Sequence, residues 1–118
     1  MSMRSLLFFC FALSLFAQPS TDLTQALTSS RQRIDSIDGQ IVKLLNERAQ
    51  VVRDVGLIKK QYHAPASAPG REEQVLRRVA GEAQAPLTPS SIEAIYKVIL
   101  HEMSSMEAAE MEKSSSRN

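Results

Sequence analysis

The sequence predicts an all-α fold: a three-helix subunit with one long N-terminal helix, paired into an intertwined homodimeric helical bundle. Three observations lead there. Between Pro19 and His63 no proline interrupts a run whose apolar residues recur at helical spacing. The stretch "HAPASAPG", residues 63 to 70, then breaks the chain with two prolines and a glycine. No segment shows the apolar–polar alternation of a strand, and there is no internal repeat.

The first helix is expected to start at Pro19-Ser20-Thr21-Asp22, residues suited to a helix N-terminus, and to run to about Tyr62. Ile34, Ile37, Ile41, Leu44, Leu45, Val52, Val55 and Ile58 keep its spacing, and Gly39 and Gly56 weaken it only modestly. At 1.5 Å per residue, some 40 residues span roughly 60 Å, whereas a compact domain of ~100 residues has a radius of gyration near 13 Å. Two shorter helices of one chain cannot cover so long a stripe, and a second copy is the simplest remedy. A long coiled coil is the rival arrangement, but the apolar positions follow 3.6 better than 3.5 and the heptad does not hold. A second helix is expected from Arg71 to about Glu82. The third opens with Thr88 as N-cap and Pro89 at the first helical position, continuing through Ile92, Ile95, Tyr96, Ile99 and Met103.

Residues 1–17 have the layout of a secretory signal peptide, with Arg4, an apolar run from Leu6 to Phe16, and Ala17 as a small residue. The run falls short of the roughly 20 residues a membrane span needs, so the expectation is an exported protein, periplasmic or secreted, with no stable membrane anchor after signal removal. The helical domain is then 18–112, and residues 113–118, "KSSSRN", form a disordered tail.

The chain carries 14 basic and 13 acidic residues, and loss of Arg4 balances them. A balanced chain without a basic run argues against nucleic acid as a partner. The single cysteine, Cys10, leaves with the signal, which excludes disulfides. His63 and His101 stand far apart without ligand-like spacing, so no metal is expected. No glycine-rich phosphate loop or local catalytic-triad motif is present, and no cofactor is expected.

The informative feature is charge on apolar faces. On a helical wheel Leu44, Val51, Val55 and Ile58 share one side of the first helix, and Arg48 and Lys59 fall on that same side. Glu72 lies in register with Val75, Leu76 and Val79, and Glu107 sits near the stripe of Ile92, Ile99 and Met103. Burying an unpaired ion costs several kcal/mol even after relaxation. Individually these groups could pair with one another or snorkel to water. As a set they equally suit a polar pocket inside a helical bundle, and one fit for a small dianion, since Arg offers a planar fork to a carboxylate and Lys a compact point charge. No activated nucleophile is visible, so any chemistry rests on orientation and electrostatic stabilisation.

Taken together, "RQRIDSIDGQIVKLLNERAQVVRDVGLIKK", "REEQVLRRV" and "PLTPSSIEAIYKVI" closely resemble the all-helical chorismate mutases, from about Leu27 to Glu107. The resemblance implies an intertwined dimer of three-helix subunits that rearranges chorismate to prephenate without a cofactor. It implies that Arg31 reaches into the partner subunit's site and that Arg48 binds a substrate carboxylate. Lys59 would contact a carboxylate and the breaking ether oxygen. Arg71 and Glu72 match the pair that opens the second helix, with the glutamate on the substrate hydroxyl. Glu107 takes the place of a glutamine that donates to the ether oxygen; a carboxylate donates only when protonated, which ties activity to pH.

Besides Glu107, two further positions depart from the common bacterial pattern. Ala68 stands where an aspartate is frequent, and Met103 where a small hydroxyl residue often contacts a carboxylate. Both remove polar contacts. They leave two alternatives beside the mutase: isochorismate-pyruvate lyase, which resembles the same fold, and a catalytically inactive helical binding or regulatory dimer. The Arg71-Glu72 pair favours the mutase over the lyase, and retention of Arg31, Arg48, Lys59 and Glu72 argues against an inactive bundle.

Overall fold

The computed structural model describes residues 19–116; the signal-peptide expectation at residues 1–17 lies outside them. The described chain contains α1 (Pro19–Gln61), α2 (Pro69–Ala80) and α3 (Pro89–Ser115), with no strand among the described residues. None of these helices is long and apolar enough to cross a membrane. The chain divides into two units, one ending at Gly39 and the other beginning at Gln40.

The first unit is the opening of α1. Asp22 sits in its first turn, where a carboxylate meets the positive end of the helix dipole. From Asp22 to Gly39 every side chain but the half-buried Leu27 is exposed, including the apolar Ile34 and Ile37. Thr28 Oγ1 donates to the carbonyl of Thr24, the i−4 bond that a mid-helix threonine commonly makes.

The second unit holds the core. Val75 and Val79, four residues apart on α2, are buried with Leu100 of α3, and Leu76, Ile92 and Tyr96 pack partly buried around them. The expected apolar stripe of α3, Ile92, Ile99 and Met103, does not include Leu100, which is this helix's buried core residue, while Ile95 is exposed. Helix α3 is apolar around much of its circumference, so periodicity leaves the inward side of this helix underdetermined.

Each break between helices has a local cause. α1 ends in a Schellman motif: the amide of Ala64 donates to the Lys59 carbonyl and that of His63 to the Lys60 carbonyl. His63 takes the left-handed position at φ 55°, a place more often given to glycine. α2 begins at Pro69, two residues earlier than expected, because the Ala68 carbonyl already accepts from the amides of Arg71 and Glu72. It ends at Ala80, ahead of Glu82. α3 begins as expected, with Thr88 Oγ1 accepting from the Ser91 amide at 3.1 Å.

The end of α3 lies beyond residue 112, where the helical domain was expected to stop. The helix continues to Ser115, into the segment from residue 113 expected to be disordered. The hydroxyls of Ser114 and Ser115 both donate to the Met111 carbonyl, and Lys60 Nζ donates to Ser114 Oγ at 2.8 Å. Ser116 Oγ donates to the Lys113 carbonyl at 2.9 Å, one of the last helical carbonyls that would otherwise lack a partner.

The two caps differ in a way that can be tested. Ala68 caps α2 without any side-chain hydrogen bond, while Thr88 caps α3 with one. Ala68→Ser should therefore raise the stability of the protein by about 0.5–2 kcal/mol, and Thr88→Ala should lower it by a similar amount. Urea melts of the two variants should move in opposite directions from the wild-type midpoint.

Candidate functional site

The second unit contains a cavity of about 320 Å³ between its three helices. From α1 come Arg48, Val52, Val55 and Lys59, whose spacing of four, three and four residues sets them along one face. The loop contributes Ala66 and Ala68, and α2 adds Arg71, Glu72, Val75 and Arg78. From α3 the cavity takes Leu100, Met103, Ser104 and Glu107. Arg48, Lys59, Arg71, Glu72 and Glu107, singled out in the sequence, therefore meet on the wall of one cavity. Arg31 does not line it; that side chain is exposed in the first unit.

Lys59 is the most constrained of these groups. Its Nζ donates to Glu107 Oε1 and to the Ala66 carbonyl, each at 2.6 Å. Its side chain is 20% exposed, and Glu107 as a residue only 7%. Both bonds carry an ionised partner, which makes them short and strong. Glu107 is the only buried charged residue among the described ones, and its pairing with Lys59 makes that burial tolerable.

Gly56 makes the approach possible. It is buried on α1, and a Cβ built there would stand 3.1 Å from Glu107 Cγ and 3.5 Å from Met111 Cγ. The missing side chain gives Glu107 the space from which it reaches Lys59, one turn further along α1. In the sequence Gly56 reads as a mild helix-weakening residue; its role is steric and belongs to the contact with α3.

Arg48 is the opposite of Lys59. Its Nη1 is buried and has no hydrogen-bond partner among the described residues. Leaving a buried donor of a charged group unsatisfied is costly, and such a group in a cavity wall is poised for an incoming acceptor. Arg71 and Arg78 are more exposed and stand at the rim, where Arg71 Nη1 donates to Gln74 Oε1 and Arg78 pairs with Glu82.

Glu72 does not pair with any of these cations. Its Oε1 instead accepts from Ser104 Oγ at 2.8 Å. Ser104, Arg78, the Ala66 carbonyl and Leu100 were not anticipated. Arg78 follows Arg71 by seven residues, two helical turns, and could have been found from that spacing. Ser104 gave no such signal, since a serine on a helix is ordinary until its partner on another helix is known.

The arrangement can bind and orient an anion. Its cations supply complementary charge, its valines and Leu100 exclude water, and Glu72 offers an acceptor. No group of three His, Cys, Asp or Glu side chains suited to a metal ion occurs among the described residues.

Comparison with known proteins places this geometry in a wider group. The family model described as chorismate mutase type II matches residues 30–108. The bifunctional chorismate mutase/prephenate dehydratase of Neisseria gonorrhoeae is 33% identical over 88 residues, covering 75% of this chain and 24% of that protein. The chorismate mutase of Methanocaldococcus jannaschii is 37% identical over 57 residues, 48% of this chain and 58% of its own length. Among solved structures, chorismate mutase (form II) from Thermus thermophilus superposes with a TM-score of 0.68 at 25% identity, covering 70% of this chain and 94% of that one. The chain spans about a quarter of the bifunctional relative.

The close approach at Gly56 generates a graded expectation. Gly56→Ala gains about 1 kcal/mol of helix propensity but forces Glu107 to give by a few tenths of an ångström. The two effects should nearly cancel in a urea melt. Gly56→Leu has no such accommodation and should lose about 1–3 kcal/mol or more through overpacking. Equal stability of the Ala and Leu variants would mean that the contact at Gly56 is not tight.

Proposed function

We propose that this chain, which belongs to the chorismate mutase type II family, rearranges chorismate to prephenate. The observation that carries the reading is the buried, unpartnered Arg48 Nη1 facing a cavity that also holds the Lys59–Glu107 pair. A dicarboxylate seated there gives Arg48 the acceptor it lacks. The reaction is pericyclic and internal to one substrate, so the protein need only hold a reactive conformer and stabilise charge as the ether bond breaks. In this reading Arg48 holds one carboxylate, and Arg71 at the rim adds positive charge. Lys59 contacts a carboxylate and the ether oxygen, and Glu107 would donate to the same oxygen only with its carboxyl protonated. Glu72 accepts from the ring hydroxyl, and Val52, Val55 and Leu100 restrict the folded conformer.

The reading includes a homodimer in which Arg31 serves the partner subunit's site. It is supported by the apolar side chains that α1 leaves exposed away from the cavity, Leu44 at 62% and Ile58 at 55% among them. It also includes export, supported by the signal-like layout of residues 1–17. Assay of the purified chain with chorismate and with isochorismate tests the activity. Prephenate from chorismate is the expected product; pyruvate from isochorismate alone would mean a lyase, and no turnover of either an inactive bundle.

Arg48→Ala should lose about 10²–10³ in rate, the usual effect of removing a preorganised donor, with little change in a urea melt because Nη1 has no partner among the described residues to lose. Lys59→Ala should lose a comparable factor and also about 3–5 kcal/mol, since Glu107 is left buried and unpaired. Unchanged turnover with lowered stability in both variants would assign the two cations a structural role only.

Glu107→Gln keeps a hydrogen-bond donor for the ether oxygen and should retain turnover of chorismate, whereas Glu107→Ala removes it and should lose about 10²–10³ in rate. Equal loss in the two variants would remove Glu107 from the donor role.

Sedimentation equilibrium at micromolar concentration should give the mass of two chains. A folded, helical monomer under those conditions would overturn the shared-site arrangement.

A further inference from the structure

The hydrogen bond from Ser104 Oγ to Glu72 Oε1 joins α3 to the first turn of α2 across the cavity wall, between two half-buried residues. Nothing in the proposed reaction requires it, yet both residues line the site. The question is what Glu72 would do without it.

Glu72 has several competing partners. It lies in the first turn of α2, where unsatisfied amides and the helix dipole attract a carboxylate. Arg48, Arg71 and Arg78 line the same cavity, and each would draw the carboxylate by charge alone. A glutamate that swung onto Arg48 would neutralise the cation meant for the ligand. It would also turn its acceptor oxygens away from the cavity.

Ser104 prevents this without introducing charge. A serine hydroxyl on a helix commonly donates to the carbonyl four residues earlier; here it donates to Glu72 instead. The bond occupies Oε1. No hydrogen bond to Oε2 occurs among the described residues, which leaves that oxygen available as an acceptor.

From this geometry we propose that Ser104 is a positioning residue for Glu72. It holds the carboxylate off the cavity's arginines and presents its second oxygen to the hydroxyl of the substrate. The assignment rests on the proposed chorismate reading, and it adds a determinant of selectivity: the preference for a substrate that carries the ring hydroxyl depends on Ser104.

The test compares chorismate with its analogue lacking the ring hydroxyl, using wild type, Ser104→Ala, Ser104→Thr, Glu72→Ala and the double variant Ser104→Ala/Glu72→Ala. Ser104→Ala should lower kcat/KM for chorismate by about tenfold, the order expected for a lost hydrogen bond to a charged group. On the analogue it should change kcat/KM by less than about twofold, so that hydroxyl selectivity falls by most of that factor. Ser104→Thr keeps the donor and should restore selectivity. In the Glu72→Ala background, Ser104→Ala should have no further effect.

Equal loss on both substrates would show a merely structural serine and overturn the assignment. Loss on chorismate that persists in the Glu72→Ala background would show direct contact between Ser104 and substrate, and would overturn it equally. Wild type without turnover of chorismate would sink the functional reading and this assignment with it. Turnover with selectivity unchanged by Ser104→Ala would sink the assignment alone.

Discussion

The site depends on how Lys59 is held. Its ammonium is fixed from two sides, by a carboxylate on α3 and by a carbonyl in the loop between α1 and α2. Each contact requires a separate feature of the chain. The bond to Glu107 needs the two helices to approach closely, which a glycine at position 56 allows. The bond to Ala66 needs the chain to reverse directly after Lys59. The Schellman motif does this, and its longer hydrogen bond closes on the carbonyl of Lys59 itself. One residue is thus the end of a helix, the partner of a buried acid and part of the cavity wall.

Charge in the cavity is arranged unevenly. Lys59 is compensated by Glu107, and Arg78 at the rim by Glu82. Glu72 is held by a neutral hydroxyl and Arg71 by a neutral amide, so neither exchange removes a charge. Arg48 is left with a buried nitrogen that nothing among the described residues satisfies. Arg48 and Lys59 are eleven residues apart on one helix, which at 1.5 Å per residue separates their backbones by roughly 16 Å. The cavity therefore has an uncompensated cation toward one end and an internally paired one toward the other. An elongated ligand with an anionic group at each end suits such a polarity better than a single compact anion.

The sequence made much of this legible, for a definable reason. Arg48, Lys59, Glu72 and Glu107 are conspicuous because each breaks an apolar stripe, and a charge on the wrong side of a helix is a local anomaly that one sequence displays. Helix starts were legible where a side chain caps them, as at Thr88, and displaced where the cap is only backbone, as at Ala68. What stayed hidden depends on contacts between helices. Gly56 read as a weak point because its close neighbour, Glu107, lies far along the chain on another helix. Ser104 carries no periodic signature, and the terminal serines resembled a flexible tail because their partners are carbonyls and a lysine that composition does not pair with them. Leu100 was missed because a helix apolar on several sides does not announce which one turns inward.

The distribution of apolar side chains bears on how the site is kept. Only Val75, Val79 and Leu100 form the buried apolar core among the described residues, and all three belong to α2 and α3. Along α1, by contrast, Ile41, Leu44, Val51, Leu57 and Ile58 remain exposed. Yet α1 supplies both Arg48 and Lys59, the cations on which the proposed chemistry rests. A helix that positions charged groups must itself be held rigidly, because small displacements of preorganised groups weaken their electrostatic effect. The contacts at Gly56 and Lys59 fix α1 near one end of the cavity; nothing comparable fixes it at Arg48. In the proposed dimer the second chain would cover the exposed face on that side. Covering it would remove apolar surface from water and steady Arg48 against the pull of its own unsatisfied donor. On this argument the proposed second subunit would do more than contribute Arg31: it would stiffen the wall from which Arg48 acts.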